Sequence, residues 1–439
     1  MNMKHIKYLV MMSCVIIFML CFPMPAGAYT VDATGTRQYF PVFEENFAVQ
    51  SYAHQDEVSY QITYHLGGGK NSRINRNVLY ESELPYTLEV PAKEGYNFAG
   101  WYTDKNYRHK ITRITKKNKK DITLYAKWTE PIDNYMNVEM YSYHTNNLLY
   151  LNQKELRQCS YNFVDDIEIP GMPSTREKDY VDNYINSSSL CMQGLCFTPD
   201  YILMTAYSEE KNVPGALMVF DRQSGEYLVT LGMNKESHLG GIAFDGENLW
   251  VCHSNSTTLE RISYQYIQLI ANDAPGYCID ASAISDEYRL KNTPSCITYY
   301  GGRIWVASYN KMFHSKMYSY SYDPETDSIA MLGSYNIPSK VQGVAFDSNG
   351  SVYLSTSLGR NKSSYLKVYN SLLSLNNYPG NPYVKVEMPP CSEEIAIADN
   401  NLYILFESAS FKYFEGTDGK GKSTAPIDKL LAVDMASIW

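Results

Sequence analysis

A fivefold internal repeat in the C-terminal half constrains the fold of this chain more than any other feature. Each copy opens with a small or polar pair of residues and continues into apolar residues. The copies occupy residues 193–197, 240–244, 295–299, 342–346 and 393–397. A spacing of about 50 residues is what four short antiparallel strands and their turns require.

The residues inside each copy predict strands joined by tight turns. Gly and Asn fill the turn at 245–248, and such residues accept the positive φ that tight hairpins demand. The run after the turn, such as 249–253, is rich in β-branched and aromatic residues and too short for a helix. We therefore predict a mostly β chain with a five-bladed β-propeller. A six-bladed propeller is the alternative, because 138–152 is also strand-like.

The last repeat stops after its third strand, close to the end of the sequence at Trp439. Its sheet then keeps a bare edge unless another segment pairs with it. The segment 163–170, just before the first repeat, has the pattern of a fourth strand. We predict that this segment closes the ring.

Two stretches carry a resemblance to the gluconolactonase-like and quinoprotein-like β-propellers. They are Gly-Ile-Ala-Phe-Asp-Gly-Glu-Asn-Leu-Trp-Val at 241–251 and Val-Phe-Asp-Arg-Gln-Ser-Gly-Glu at 219–226. Lactonases of this type hold a metal ion with scattered Glu, Asn and Asp residues. The resemblance therefore implies a propeller fold and, as one reading of function, metal-dependent hydrolysis.

Residues 1–28 have the pattern of a secretory signal. Lys4 and Lys7 precede an apolar run at 8–22, and Ala-Gly-Ala at 26–28 is a small-residue cleavage site. An uncleaved membrane anchor is the alternative, although the run is short for a bilayer span. We expect an exported protein of the bacterial envelope or surroundings, which meets the membrane only through this segment. Residues 29–57 are mixed and polar and are interpreted as a linker.

Residues 58–130 form a separate module. Three glycines at 67–69 indicate a turn, and the segments Glu-Gly-Tyr-Asn-Phe-Ala-Gly-Trp-Tyr at 94–102 and Leu-Tyr-Ala-Lys-Trp at 124–128 follow. This set closely resembles the internalin-type B-repeat, or Listeria–Bacteroides repeat. The resemblance implies a small β-grasp fold of secreted and surface proteins, with Trp101 and Trp128 in its core. Residues 131–160 are interpreted as a linker, and 161–439 as the propeller.

Cysteines and histidines suggest structural roles. Cys196, Cys252 and Cys296 occupy positions where the other repeats have Ala, Gly, Ser or Thr, so they are expected to be buried free thiols. A bridge between Cys159 and Cys191 is the alternative that an exported chain invites. His238 and His253 lie near one hairpin and could share a metal ion or be polar surface residues.

The opening pairs of the repeats supply the candidate ligand-binding residues. In a propeller the innermost strands line the axial channel, so equivalent positions converge on one rim. Carboxylate and amide oxygens on this rim could bind a divalent cation such as calcium or a polar ligand. Alternatively, these groups brace the ring by hydrogen-bonding to one another. The candidates are Gln193, Ser295, Gln342, Glu393 and Glu394, with Gly240 at the fifth position.

Composition and motifs then limit the function. A net charge of −9 argues against nucleic acid as a partner. The chain contains none of the usual nucleophile, phosphate-loop or zinc motifs, so no catalytic residue is assigned and catalysis is not expected. The leading function is binding of a cell-wall or host glycan or protein. A metal-dependent hydrolase or lactonase with channel carboxylates is the alternative. An exposed aromatic patch would favour the binding function.

Overall fold

A computed structural model describes most of the chain after residue 56. The described residues are 28–31, 37–40, 57–129, 156, 159–167, 169–172, 190–209, 214–233, 237–273, 278–281 and 284–439. The chain divides into two compact units, Met1–Gln55 and Asp56–Trp439. In the first unit, β1 (Ala28–Val31) pairs antiparallel with β2 (Arg37–Phe40), inside the stretch interpreted as a linker. Residues 1–27 of the predicted signal and the strand-like stretch 138–152 lie outside the described residues.

The second unit begins with the repeat module, whose strands form one five-stranded and one two-stranded sheet. The five-stranded sheet has the order β4-β3-β9-β6-β7, in which β3 and β9 are parallel and the other pairs are antiparallel. The remaining strands β5 and β8 pair with each other. The strands are β3 (Ser59–His65), β4 (Val78–Tyr80), β5 (Tyr86–Thr87), β6 (Asn97–Tyr102), β7 (Lys110–Ile111), β8 (Arg113–Ile114) and β9 (Ile122–Thr129).

Alternation of side chains gives this sheet one buried and one exposed face. Ile62, Leu124 and Trp101 point into the core from three neighbouring strands. Trp128 is only half-buried: it packs on the glycine turn, and its indole N–H donates to the carbonyl of Leu66 at 2.7 Å. The predicted core position is therefore confirmed for Trp101, whereas Trp128 stabilises the glycine turn at 67–69.

The rest of the unit is a β-propeller of five sheets in the described part of the chain, which confirms the predicted fold class. Each sheet runs from an innermost to an outermost strand and is called a blade. Blade 5 is β28-β29-β30 with β10 outermost, and blade 1 carries β18 as an extra parallel strand. The strands are β10 (Tyr161–Val164); β11 (Leu190–Phe197), β12 (Tyr201–Ser208), β13 (Ala216–Asp221), β14 (Tyr227–Gly232) in blade 1; β15 (Ile242–Phe244), β16 (Asn248–His253), β17 (Thr258–Ser263), β19 (Ser285–Arg289) in blade 2, after β18 (Cys278–Asp280); β20 (Cys296–Tyr300), β21 (Arg303–Ala307), β22 (Ser315–Asp323), β23 (Ser328–Ile337) in blade 3; β24 (Val341–Phe346), β25 (Val352–Thr356), β26 (Ser364–Tyr369), β27 (Val384–Met388) in blade 4; and β28 (Ser392–Ala398), β29 (Asn401–Phe406), β30 (Leu430–Asp434) in blade 5.

Within the described residues, three α-helices are inserted between strands, and the repeat pattern did not predict them. They are α1 (Tyr264–Asp273) in blade 2, α2 (Leu372–Asn377) in blade 4 and α3 (Phe411–Phe414) in the long loop after β29. Among the helices described here, none is long and apolar enough to cross a membrane.

Ring closure uses the predicted segment, but its strand covers Tyr161–Val164 and not the whole of 163–170. β10 pairs antiparallel with β30, with Phe163 opposite Leu431. The strand ends at Val164, and the residues after it turn inward. Ile167, Ile169 and Met172 are buried in the core between blades 5 and 1. Residues 161–172 therefore cover the edge of blade 5 with β10. They also fill the core between blades 5 and 1, where the ring closes.

The innermost strands contact one another in the ring order β11, β15, β20, β24, β28 and back to β11. Small residues permit this close approach. An added Cβ on Gly343 would lie 2.7 Å from the backbone N of Ile395 and 2.8 Å from the carbonyl O of Glu393. Because these neighbours are backbone atoms, glycine is required at this position.

The repeat module packs directly on blades 2 and 3. Lys110 Nζ donates to the carbonyl of Ser285 at 2.7 Å, and Lys116 Nζ lies 2.7 Å from the Glu325 carboxylate. Arg113 donates to the Tyr322 hydroxyl at 2.9 Å. One lysine of the basic run 116–120 thus takes part in the contact with the propeller.

Candidate functional site

The mouth of the axial channel brings together three of the five predicted rim residues. Gln193 lies in the innermost strand of blade 1, Gln342 in that of blade 4 and Glu393 in that of blade 5. A glutamate that the sequence analysis did not select, Glu407, lies between them. We call Gln193, Gln342, Glu393 and Glu407 the mouth cluster.

Hydrogen bonds connect the mouth cluster across three blades. Gln193 Nε2 donates to Glu407 Oε2 at 3.0 Å, and Gln342 Nε2 donates to Glu393 Oε1 at 3.0 Å. Glu393 and Glu407 also hydrogen-bond to each other. Two carboxyl groups can make this bond only if one of them carries a proton. The cluster is therefore a carboxyl pair held between two amides.

Burial dominates the electrostatics of this pair. Glu393 is 3% and Glu407 is 7% exposed. Removal from water raises the pKa of Glu407 to about 7, against the lowering effect of hydrogen bonds from Tyr413, Glu393 and Gln193. Burial, together with the Glu407 charge, raises the pKa of Glu393 well above its usual range. Glu393 thus keeps its proton and donates the hydrogen bond, and the Glu407 carboxylate accepts it.

Aromatic side chains surround the carboxyl pair. The half-buried Tyr413 hydrogen-bonds to Glu407 from α3. Tyr309 follows β21 in blade 3, and the charges of Glu393 and Glu407 contribute to the raised pKa of its hydroxyl after burial. Tyr309 is 39% exposed, so this side of the mouth is open to solvent.

Ser295 takes part indirectly. Its hydroxyl accepts a hydrogen bond from the backbone N–H of Tyr309 at 2.9 Å. It therefore orients the loop that carries Tyr309. The fifth position, Gly240, has no side chain and instead donates its N–H to Ser254 Oγ at 3.2 Å.

Glu394 lies deeper in the channel than its neighbour Glu393. A register shift between Ser392 and Ile395 separates the two carboxylates. Glu394 accepts hydrogen bonds from the backbone N–H of Val344 at 3.2 Å and of Ile297 at 3.5 Å. Burial raises its pKa well above the usual range. It joins blades 3, 4 and 5 at the axis.

Glycines in the neighbouring blades leave the space that Glu394 fills. Glu394 occupies the repeat position held by Gly194, Gly241 and Gly343, and a Cβ on Gly241 would meet its Oε2 at 2.4 Å. Glu393 and Glu394 thus differ in role, although they are adjacent in sequence.

A basic residue stands beside the mouth but is bound elsewhere. Lys412 Nζ donates to the Tyr207 hydroxyl at 2.7 Å and to Glu209 at 2.8 Å. Its charge lowers the pKa of Glu407 only in part. His238 stacks on Tyr207 at 4.1 Å between ring centroids.

Repeat alignment contained a signal for Glu407. This residue follows the second strand of blade 5, where the other repeats have Ser208, Ser254, Tyr309 and Ser357. A carboxylate at a position otherwise taken by hydroxyl-bearing residues marks it as unusual. No such signal exists for Tyr413, because it lies in a loop that the other blades lack.

The two histidines do not share a metal site, and His253 is not the polar surface residue that the sequence favoured. His253 is fully buried with its Nε2 2.6 Å from Glu260 Oε2, while His238 stacks on Tyr207. Within the described ranges, no group of three or more His, Cys, Asp or Glu side chains is placed to hold a metal ion. The calcium site stays a prediction.

Cysteines behave as small buried side chains. Cys196, Cys252 and Cys296 are buried and free, as the repeat positions predicted. Cys159 and Cys191 are also free, so the alternative of a bridge between them is not what the structure shows. Cys191 lies close enough to Glu407 for the charge to raise its pKa further after burial.

Replacing Glu407 with glutamine is expected to change how stability depends on pH. Folded Glu407 titrates near 7 and the unfolded side chain near 4.5, so between these values the folded state holds more protons. Stability therefore falls as pH rises from about 4.5 through 7. Relative to the native protein, Glu407→Gln should gain roughly 3 kcal/mol between pH 4 and pH 8.

Urea unfolding at pH 4, 6 and 8 measures this difference. Glu415→Gln is the control, since this carboxylate of the same loop forms an exposed pair with Lys422 at 3.0 Å. The control should show little change across the range. A Glu407→Gln difference that stays constant with pH would contradict the burial of a titrating pair.

Comparisons with known proteins agree with parts of this picture. Residues 60–127 match the family model of the Listeria-Bacteroides repeat domain. No curated protein matches the chain.

Solved structures similar to the chain include the nidogen/laminin complex, at 15% identity and TM-score 0.33, covering 51% of this chain and 74% of that chain. Myxococcus xanthus glutaminyl cyclase aligns at 12% identity and TM-score 0.34, over 62% of this chain and 95% of that chain. Kuenenia stuttgartiensis hydrazine synthase aligns at 11% identity and TM-score 0.31, over 50% of this chain and 56% of that chain.

Proposed function

We propose that this protein is an extracellular binding module that captures a protein segment at the mouth of its propeller channel. The observation that carries the proposal is the buried carboxyl pair of Glu393 and Glu407. The ligand group that fits it is a primary ammonium, from a lysine side chain or a chain terminus.

The chemistry of the pair favours a cation. Two carboxyl groups this close cannot both ionise without a partner, so one proton is retained. When an ammonium group binds, the shared proton is released to solvent. The ammonium then pairs with both carboxylates, Glu393 and Glu407. The rings of Tyr309 and Tyr413 border the site, and aromatic faces also attract cations.

The loop after β21 supplies an apolar anchor beside the mouth. Met312 and Phe313 are 74% and 69% exposed, three and four residues after Tyr309. Asn310 holds the loop, because its Oδ1 accepts from the N–H groups of both residues at 3.0 Å. Exposed large side chains on an ordered loop are typical of protein interfaces. The ligand is therefore a peptide segment with an apolar residue near its ammonium.

Export supports this role. Repeat domains of the matched family are typically extracellular. The basic start, apolar run and Ala-Gly-Ala site of residues 1–28 fit the same location.

The alternative function is hydrolysis, with the same carboxyl pair as its centre. One protonated and one ionised carboxyl group can act as acid and base. A divalent ion such as calcium would be the cofactor in the metal-dependent form. Propeller folds host both kinds of activity, so the fold does not separate them.

Titration calorimetry with a tetrapeptide that carries lysine beside leucine tests the proposal. The native protein should bind it more tightly at pH 8 than at pH 5, because the ammonium displaces the shared proton. Glu407→Gln should weaken binding about 30-fold or more, since loss of one member of a buried charge pair costs about 2–5 kcal/mol. Phe313→Ala should weaken it by a smaller factor.

Two controls define the result. The peptide is used with its N-terminus acetylated, so that lysine carries its only ammonium group. Acetylating the lysine as well should abolish binding, and Glu415→Gln should bind the lysine peptide like the native protein. Absence of heat with the lysine peptide, together with heat on adding calcium, would reject the ammonium site and favour the metal-dependent alternative.

A further inference from the structure

We propose that the repeat module carries a second binding site, which takes a linear oligosaccharide in an aromatic cleft beside its glycine turn. The cleft has a volume of about 500 Å³, and its lining includes Tyr64, His65, Gly67, Gly68, Tyr107 and Tyr125. It is separate from the mouth cluster of the propeller.

Strand pairing places rings in a row on the exposed face of the sheet. His65 of β3 lies opposite Tyr125 of β9, and Tyr125 lies opposite Tyr102 of β6. The His65 and Tyr125 rings stack with centroids 4.7 Å apart and planes 9° apart. Tyr107 meets Tyr102 edge-on at 5.4 Å. Four rings from three strands and a loop thus form one surface.

The loop that carries Tyr107 is held in place by hydrogen bonds. Asp104 accepts from the backbone N–H groups of Asn106 and Arg108 at 3.0 Å and of His109 at 2.8 Å. Tyr107 itself adopts a φ of 55° and is 42% exposed. A tyrosine in left-handed backbone is uncommon, and such strain often accompanies function. The loop presents this ring at the cleft.

The composition of the exposed face fits a saccharide better than an apolar protein surface. On β3 and β9 the positions beside the rings are polar and hold Thr63, Thr123 and Lys127, while Leu66 and Ala126 supply the aliphatic part of the cleft lining. Lys127 Nζ lies 5.7 Å from the centre of the Tyr102 ring. A stable protein interface needs an apolar centre within about 800 Å² on each partner. The row of rings is one ring wide and is flanked by hydroxyl and ammonium groups, so its apolar area is smaller than such an interface needs.

A sugar ring has the matching chemistry. Its C–H face packs on an aromatic ring, and its hydroxyl edge accepts and donates hydrogen bonds. Tyrosine supplies both parts with few rotatable bonds, so little entropy is lost on binding. Sugars joined by equatorial β-1,4 bonds present the flattest faces, and a chain of them can follow the row.

Calorimetry and NMR titration of the full chain with three soluble hexasaccharides test the site. The probes are cellohexaose, the β-1,4-linked N-acetylglucosamine hexamer and maltohexaose, whose α-linked chain is curved. At least one of the two β-1,4 hexamers should bind more tightly than maltohexaose. His65→Ala and Tyr125→Ala should each weaken that binding tenfold or more, whereas Tyr125→Phe should retain most of it.

Matched variants keep the result interpretable. Tyr96→Ala removes another exposed tyrosine of the same module and should bind normally. Glu407→Gln should also bind the hexamer normally, so failure of the channel site and failure of this site are distinguishable. Thermal melting checks that each variant is folded. The proposal is overturned if neither β-1,4 hexamer binds, or if folded His65→Ala and Tyr125→Ala bind like the native protein.

Discussion

Replacing Gly343 with alanine is expected to destabilise the propeller strongly. The added methyl group would lie 2.7 Å from the backbone N of Ile395 and 2.9 Å from the Cα of Glu394. Neither atom can move without shifting the innermost strand of blade 5 against that of blade 4. Overpacking of this kind costs about 3 kcal/mol, which in a domain of this size lowers the melting temperature by roughly 5 °C.

Differential scanning calorimetry measures this effect, with Gly380→Ala as the control. Gly380 is exposed, has no atom within 4 Å of an added Cβ and lies in the loop before β27 of the same blade. The control should melt within about 1–2 °C of the native protein. Equal melting temperatures for the two variants would show that the inner strands are not in the close contact described here.

Deleting residues 161–172 is expected to abolish cooperative unfolding of the propeller. The deletion removes β10, which pairs along β30, and leaves the edge of blade 5 open to other chains. It also removes Ile167, Ile169 and Met172, which are 4%, 0% and 0% exposed. Truncating each such side chain costs about 2–5 kcal/mol, so the sum reaches the whole stability of a typical domain.

Circular dichroism melts and size-exclusion chromatography report the outcome. Asn162→Ala, which changes an exposed residue of β10 and keeps the pairing, is the matched control and should behave like the native protein. Ile169→Ala should lie between the two, with a loss of about 2–4 kcal/mol. A monomeric deletion variant with an unchanged melt would show that the ring holds without this segment.

The sequence by itself determined the architecture of the described chain. A repeat of about 50 residues predicted five or six blades, the order of strands within each blade and the closing segment near Phe163. The closed ring of five inner strands in the described chain then decided for five. The repeat module followed from a set of motif residues that the family model also matches at 60–127. These features are readable because strand alternation and turn residues are local properties of the chain.

Only the tertiary structure decided what the site residues do. Equivalent repeat positions predicted that Gln193, Gln342 and Glu393 converge, and they do. A register shift recurs at this point in β11, β24 and β28, and in β28 it directs Glu394 towards the backbone of blades 3 and 4 while Glu393 joins the mouth cluster.

Partners that are distant in the chain explain the rest. Glu407 meets Gln193 from 214 residues away, and His65 meets Tyr125 through parallel pairing of the first and last strands of the repeat module. Side-chain chemistry is visible in the sequence, but the neighbours that bury a carboxylate or align a ring are set by strand pairing and ring closure. These neighbours determine pKa and accessibility, because both depend on what surrounds a group rather than on its identity.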